Sequence, residues 1–167
     1  IGMGGALDSA RFQYRIAEAL ECPTSDVDGM VLGGHSDTGM IPLTRLARYR
    51  GLPISKFLSE ERIDELMEAT KVGGATLTKM LGTSAWYAPG AAVSELVQAI
   101  VCDQKKLMPC SVMLDGEYGM KDICIGVPVI LGKNGVEKIV EIELNDAEKA
   151  KMAESAEAVR RVNGLLG

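Results

Sequence analysis

The 167-residue sequence predicts a single α+β domain that spans residues 1–167. Three observations lead to this prediction. Four stretches repeat apolar residues at helical spacing, three strand-like segments follow one another in the last third of the chain, and strands do not alternate strictly with helices. We therefore expect antiparallel strands packed against long helices.

The first elements are a helix and a group of short strands. The stretch DSARFQYRIAEALE predicts a helix with one apolar face formed by Phe12, Ile16 and Leu20. The apolar run GMVLGG predicts a strand that leads directly into His35. Further brief strands, around a turn at Arg50 and Gly51, are predicted from the segments MIPL and RLARYRGLPI.

Two more helices are predicted in the middle of the chain. One covers the segment SEERIDELMEATKVGGATLTKML, with Ser59 as its N-cap, and we expect Gly73 and Gly74 to bend or interrupt it. The next is entered through Pro89 and Gly90 and has apolar residues at Val93, Leu96, Val97 and Ile100.

The last third predicts a sheet followed by a closing helix. Three strands are expected, from LMPCSVML, ICIGVPVIL and VEKIVEIEL. The segment GKNG predicts a hairpin between the last two, because Asn-Gly tolerates the positive φ of a tight turn. The closing helix begins at Asn145, where Glu148 completes a capping-box pattern, and runs to about Asn163.

Composition excludes several classes of function. The net charge is −5 and no basic run is present, which argues against a nucleic-acid partner. The longest apolar runs fall short of the ~20 residues that span a bilayer, so we expect no membrane segment. The start of the chain lacks the pattern of a secretory signal, and the four cysteines have no C-x-x-C spacing. These features predict reduced thiols, no zinc site and a cytoplasmic location.

His35 is the only histidine, and it lies between the glycines of GGHSD and two polar residues. An imidazole titrates near neutral pH, so one well-placed histidine can accept and return a proton within a turnover. It needs a carboxylate on one ring nitrogen to hold its tautomer. Asp37 is near in sequence, but a residue two positions along a loop seldom turns back toward the ring.

Asp8 and Arg11 offer a better partner set, because residues three apart share one helix face. Asp8 would orient the histidine, and the planar guanidinium of Arg11 would bind a substrate carboxylate through two hydrogen bonds. Simpler interpretations remain open: His35 as a surface residue, and Asp8 with Arg11 as a surface ion pair. A metal site at His35 and Asp37 is disfavoured, since no further ligands complete it.

Several motifs together resemble the lactate/malate dehydrogenase family. They are GALDSARF, GGHSD, GTSAWYAPGAA, LDGEYG and GVPVILGKNGVEKI, followed by the long C-terminal helix. They occur in the order typical of that family and cover essentially the whole chain. The resemblance is to the C-terminal, catalytic half alone, because no strand–GxGxxG–helix unit of a dinucleotide-binding domain is present.

The resemblance implies roles for six residues. His35 would be the proton donor and acceptor, Asp8 its orienting partner, and Arg11 the residue that binds the substrate carboxylate. Ser84 and Ala85 would lie near the substrate, and Pro89 would line the nicotinamide pocket; Trp86 and Tyr87 are interpreted as core or subunit contacts. The family commonly has H-G-D where this chain has His-Ser-Asp, and Gly39 resembles an insertion.

For the complete enzyme, the resemblance implies reversible NAD-dependent oxidation of (S)-malate to oxaloacetate in the tricarboxylic acid cycle. It also implies a homo-oligomer, either a dimer or a tetramer. Two alternatives stay open: a dehydrogenase for lactate or another 2-hydroxy acid, and a non-catalytic oligomerisation or binding module with the same fold. An N-terminal NAD-binding domain is expected upstream of this chain.

Overall fold

The computed structural model describes residues 1–165, and within that range it contains four α-helices and eight β-strands. The helices are α1 (Gly4–Leu20), α2 (Glu60–Leu81), α3 (Tyr87–Val101) and α4 (Asp146–Asn163). The strands are β1 (Val27–Asp28), β2 (Val31–Gly33), β3 (Met40–Pro42), β4 (Arg48–Tyr49), β5 (Leu52–Pro53), β6 (Lys106–Asp115), β7 (Lys121–Gly132) and β8 (Gly135–Ile139). Their pairings are antiparallel, which confirms the predicted α+β class.

The long strand β7 forms the centre of a five-stranded sheet. Strand β6 pairs along one of its edges, while β2 and β8 pair at different positions along the other. Strand β3 extends this sheet beyond β2, and a smaller sheet has the order β1-β4-β5. The predicted hairpin over GKNG is confirmed by the pairing of Gly132 with Gly135.

Strand β8 is shorter than predicted. The segment VEKIVEIEL was expected to be extended to Leu144, but pairing ends at Ile139. The Val140 amide still donates to the Pro128 carbonyl of β7 at 2.8 Å, and the Ile142 amide then donates to the hydroxyl of Tyr118, in the turn between β6 and β7, at 3.0 Å. An aromatic side chain thus takes the place of a neighbouring strand, which period-two patterning does not reveal.

The two central helices also differ from expectation. Helix α2 is continuous to Leu81, so the predicted interruption at Gly73 and Gly74 is wrong. Both glycines lie beside the side chain of Arg11 on α1, where their small size lets the two helices approach. Helix α3 begins at Tyr87, two residues before Pro89, because a proline in the first turn has no amide hydrogen bond to lose.

The helix caps follow the sequence. The Ser59 hydroxyl accepts a hydrogen bond from the Arg62 amide at the start of α2, as its predicted N-cap role requires. At the start of α4, Asn145 and Glu148 form the complete capping box, with both reciprocal hydrogen bonds present. Helix α4 therefore has a well-fixed N-terminus.

The sheet and helices enclose two apolar clusters. In the larger one, α1, α3 and α4 pack on the five-stranded sheet, with buried residues such as Leu32, Ile125, Val127, Leu96 and Met152. The smaller one joins α1 and α2 to the short strands and contains Phe12, Ile16, Val31, Ile54 and Leu66. No helix between residues 1 and 165 combines the length and apolar character that a bilayer span needs.

Candidate active site

His35 lies in the loop that joins β2 to β3. The buried strand β2 ends at Gly33, which pairs with Met40 across the loop. Gly33 has φ +88°, and a Cβ at this position would lie 2.1 Å from the carbonyl oxygen of Gly39. Only glycine fits this left-handed conformation and this close backbone contact. Gly33 therefore sets the path of the loop and the position of His35 within it.

The ring of His35 is hydrogen-bonded to a buried carboxylate. Its Nδ1 atom lies 2.7 Å from Oδ2 of Asp8 on α1. The Asp8 side chain is 2% exposed, whereas that of His35 is 47% exposed. An ionised carboxylate can only accept, so the Nδ1–H donates, and the other ring nitrogen, Nε2, is left for a ligand.

Asp8 also binds Arg11, one helical turn further along α1. The Arg11 Nη1 atom donates to Oδ1 of Asp8 at 3.1 Å, so the two carboxylate oxygens are divided between Arg11 and His35. Among the described residues, the Arg11 side chain makes this one hydrogen bond. Its other N–H groups can therefore bind a ligand. With Asp8 almost fully buried, the surface ion-pair interpretation does not describe this contact.

The electrostatic surroundings raise the pKa of His35 above its ordinary value. The hydrogen bond to Asp8 is the largest cause, and the negative charge of Asp8 adds to it. Partial burial and the positive charge of Arg11 act in the opposite direction, and Asp37 contributes a smaller increase. The charged form of His35 is therefore stabilised relative to that of an isolated imidazole.

A glycine at the start of α1 makes room for the imidazole. A Cβ at Gly4 would lie 2.8 Å from both Cβ and Cγ of His35, so a larger residue would displace the ring. Sequence reasoning missed this residue. The available indication was its spacing, since Gly4 lies one turn before Asp8 on the same helix face.

His35 opens onto a small cavity of about 230 Å³. Its lining is rich in glycine and comes from α1, β2, β6, β7 and α4: Gly2–Gly5, Gly33–His35, Ser111, Cys124–Gly126 and Val159. Arg11 lines a separate groove of about 360 Å³ between α1, α2 and α3. The Asp8 carboxylate binds one residue from each lining, His35 and Arg11.

The segment that contains Ser84, Ala85 and Pro89 lies at the N-terminus of α3. Ser84 is exposed, while Ala85 and Pro89 are half-buried, and the structure does not place them in the lining of the His35 cavity. Their neighbour Ala88 lines the groove that contains Arg11. Trp86 and Tyr87 are 65% and 85% exposed, so the interpretation of these two residues as core is wrong.

Comparison with known proteins places this geometry in a family. The model of the lactate/malate dehydrogenase alpha/beta C-terminal domain matches residues 5–162. A malate dehydrogenase from Bacteroides thetaiotaomicron is 65% identical over 166 residues, which are 99% of this chain and 53% of that protein. The chain thus spans about half the length of such relatives.

Two solved structures show the same fold. The malate dehydrogenase from Salinibacter ruber is 45% identical, with a TM-score of 0.91, over 94% of this chain and 51% of that one. The lactate dehydrogenase from Cryptosporidium parvum, solved with lactic acid and nicotinamide adenine dinucleotide, is 38% identical, with a TM-score of 0.94, over 99% of this chain and 54% of that one. The chain belongs to the lactate/malate dehydrogenase family, as its alpha/beta C-terminal domain.

Proposed function

We propose that the complete protein, with an upstream NAD-binding half, is a malate dehydrogenase that interconverts (S)-malate and oxaloacetate in the tricarboxylic acid cycle. In this proposal residues 1–167 form its substrate-binding, catalytic domain. The observation that supports it most directly is the hydrogen-bonded series Arg11–Asp8–His35, with distances of 3.1 and 2.7 Å about one buried carboxylate. The names of the relatives agree with it.

His35 transfers the proton. In the oxidation of malate the neutral imidazole accepts the hydroxyl proton at Nε2, while Asp8 stabilises the imidazolium that forms. In the reverse direction the protonated ring donates to the developing alkoxide of the substrate. The raised pKa of His35 favours this second state, because the hydrogen bond with Asp8 is strongest when the ring is charged.

Arg11 binds the carboxylate next to the reacting carbon. Its side chain is 21% exposed and its guanidinium is held by Asp8 through Nη1, so its orientation is set before the substrate arrives. A planar guanidinium makes two parallel hydrogen bonds to a carboxylate, which fixes both distance and direction. Ser84 and Ala85 contact the substrate in this proposal, which is supported by Ala88, a few residues further along the chain, in the lining of the Arg11 groove.

The residues of this domain fit only the nicotinamide end of NAD. The His35 cavity of about 230 Å³ is below the ~300–1,000 Å³ typical of small-molecule pockets, and the sequence holds no glycine-rich phosphate loop. When bound, NAD supplies the hydride-transfer chemistry of the reaction. Pro89 provides an apolar wall for the nicotinamide in this proposal, and the upstream half binds the remainder of the cofactor.

The competing function is oxidation of lactate or another 2-hydroxy acid. The structural likeness to a lactate dehydrogenase favours it, since that enzyme shares the fold at a TM-score of 0.94. The 65% identity to malate dehydrogenases supports malate more strongly. A non-catalytic module is disfavoured because it would have no need of a half-exposed histidine bonded to a buried aspartate.

The test is a substrate comparison with the complete protein. We expect kcat/KM for malate to exceed that for lactate by at least ~10²-fold with NAD. Lactate lacks the second carboxylate of malate, so the protein groups that bind this carboxylate would be left unpaired. The matched measurements use malate and lactate at the same pH with NAD and with NADP. A preference for lactate would support the competing dehydrogenase, and no turnover with any 2-hydroxy acid would support the non-catalytic module.

The assembly and location of the complete protein are further parts of the proposal. We propose a homo-oligomer, a dimer or tetramer. An apolar stripe on α3, formed by Val93, Val97 and Val101, is about half exposed or more, and contact with another subunit would bury it. A cytoplasmic location is supported by the cysteines, all four of which are unpaired within residues 1–165.

A further inference from the structure

We propose that Ser155 on α4 is a positioning residue for His35: its hydroxyl joins the two sides of the loop on which the histidine stands. The inference concerns geometry and rests on the proposed function only in taking His35 as the proton-transfer group. Ser155 is separated from this loop by more than a hundred residues of sequence. It belongs to neither the predicted nor the proposed catalytic set.

The hydroxyl of Ser155 makes two hydrogen bonds across the base of the loop. It accepts from the Gly34 amide at 2.8 Å and donates to the Gly39 carbonyl at 2.9 Å. Ser155 is 1% exposed, so water does not compete for either bond. A hydroxyl is suited to this position because it donates and accepts at once.

Apart from the two bonds to Ser155, the His35–Asp8 bond and the pairing of Gly33 with Met40 at its base, the described hydrogen bonds of the loop are internal. Its internal bonds run from the Ser36 amide to the Gly34 carbonyl at 3.0 Å, and from the Gly39 amide to the Ser36 carbonyl and hydroxyl at 2.9 and 3.1 Å. These bonds close the turn upon itself but do not attach it to the domain. Gly33, Gly34 and Gly39 add conformational freedom, so the direction of the loop depends on an outside contact.

Helix α4 is a firm base for such a contact. The side chain of Arg45 binds Glu148 through Nε and Nη2 and reaches the carbonyl of Glu143, next to the capping box that fixes the helix N-terminus. Met152 and Ala156, on either side of Ser155, are buried in the larger cluster. Ser155 is therefore held by packing while the glycine-rich loop is held by Ser155.

Loss of the hydroxyl would act on the bond between His35 and Asp8. Gly34 directly precedes His35, so release of the Gly34 amide lets the ring move from its 2.7 Å contact. The charged groups that act on the ring are Asp8 and Arg11 from α1 and Asp37 from the loop, while α4 offers the neutral hydroxyl. A change in the ring's pKa after substitution of Ser155 thus reports a change in position.

The test compares Ser155→Ala with Thr70→Val in the complete protein. Thr70 is fully buried on α2, and its hydroxyl donates to the Leu66 carbonyl at 2.7 Å, so its replacement also removes a buried hydroxyl bond but leaves the loop intact. The readout is the pKa of His35 from an NMR titration, with its signal identified by its loss in His35→Asn. We expect Ser155→Ala to lower this pKa by about half a unit or more and Thr70→Val to leave it unchanged.

A kinetic readout runs in parallel. Ser155→Ala is expected to lower kcat/KM for oxaloacetate roughly ten- to hundredfold, because small displacements of a proton donor are costly, and to move the pH profile downward with the pKa. If Ser155→Ala fails to fold, Ser155→Cys fills the same space with a much weaker hydrogen-bonding group, and the same drop in pKa is expected.

The outcomes separate this inference from the proposed function. An unchanged His35 pKa in a folded Ser155 variant, or an equal drop in Thr70→Val, overturns the positioning role whatever the enzyme does. A protein that turns over no 2-hydroxy acid yet shows the drop in pKa only with Ser155 variants contradicts the proposed function and supports the positioning role. A drop in both the pKa and kcat/KM supports both.

Discussion

The Nδ1 atom of His35 lies 2.7 Å from the Oδ2 atom of Asp8, and that carboxylate is buried while the imidazole is half exposed. The Nδ1 edge of the imidazole thus contacts the interior of the domain, and the Nε2 edge is available to a ligand. Because Asp8 also binds Arg11, a proton-transfer group and a carboxylate-binding group are oriented by the same side chain. The arrangement suits a substrate that carries a hydroxyl beside a carboxylate.

Replacement of His35 by asparagine tests proton transfer. We expect His35→Asn to fold normally but to lower kcat of the complete enzyme by ~10²–10⁴-fold, the usual contribution of a general acid or base. Steady-state rates in both directions are the measurement, with circular dichroism as the control for folding. A loss smaller than about tenfold would remove His35 from the mechanism.

Replacement of Asp8 by asparagine tests the orienting carboxylate. Asp8→Asn keeps the size of the side chain but removes the charge, so we expect a lower His35 pKa and a profile for keto-acid reduction displaced to lower pH. Asp37→Asn is the matched control, since Asp37 makes the smallest contribution to the raised pKa of His35. Equal effects from the two substitutions would argue that Asp8 has no special role.

The same hydrogen bond should make stability depend on pH. A histidine whose folded-state pKa is raised above its unfolded value of about 6.5 stabilises the fold fully below that value, and the stabilisation is lost as pH rises through the folded pKa. We expect the difference in free energy of unfolding between wild type and His35→Asn to be larger at pH 6 than at pH 8.5. Urea denaturation at the two pH values measures it, and a difference that does not vary with pH would contradict the hydrogen-bond assignment.

Periodicity and local motifs predicted most of the fold. The helix caps at Ser59 and Asn145 and the hairpin at GKNG depend on residues a few positions apart, so a local sequence motif is enough to predict them. The end of β8 could not be predicted, because it is decided by the hydroxyl of Tyr118, which lies 24 residues from its partner Ile142. Long-range contacts of this kind leave no periodic pattern.

The same distinction applies to the site. Asp8 and Arg11 were predictable as a pair because helical spacing places them together, while their approach to His35 was one of several hypotheses from the residues that the family resemblance favoured. Helical spacing places Gly4 on the face of Asp8 but does not show its role, and nothing local indicates the role of Gly74, since each is defined by space beside a side chain on another element. The pair Gly73 and Gly74 predicts a bend or an interruption of α2, whereas in the continuous helix Gly74 accommodates the guanidinium of Arg11.

Replacement of Arg11 by lysine tests carboxylate binding. Arg11→Lys keeps the charge but loses the planar pair of donors, so we expect KM for malate and oxaloacetate to rise by at least ~10-fold with little change in NAD binding. Arg15→Lys is the matched control, because Arg15 lies on the same helix and its guanidinium contacts the exposed Glu18 and the ring of Tyr14 rather than Asp8. Normal saturation kinetics in Arg11→Lys would mean that another residue binds the carboxylate.

The last prediction concerns residues 1–167 without the NAD-binding half that we propose to lie upstream. The cavity beside His35 is about 230 Å³, and no glycine-rich loop or ribose-binding carboxylate accompanies it, so most of the contacts that hold a dinucleotide are missing. We expect this chain alone to show no heat of NAD binding at millimolar cofactor and no dehydrogenase activity. Addition of the upstream half, fused or as a separate chain, is expected to restore both. His35→Asn in the fused protein is the control, since it should restore NAD binding without turnover. Clear NAD binding by the 167-residue chain would contradict the proposal that the upstream half provides most of the contacts to NAD.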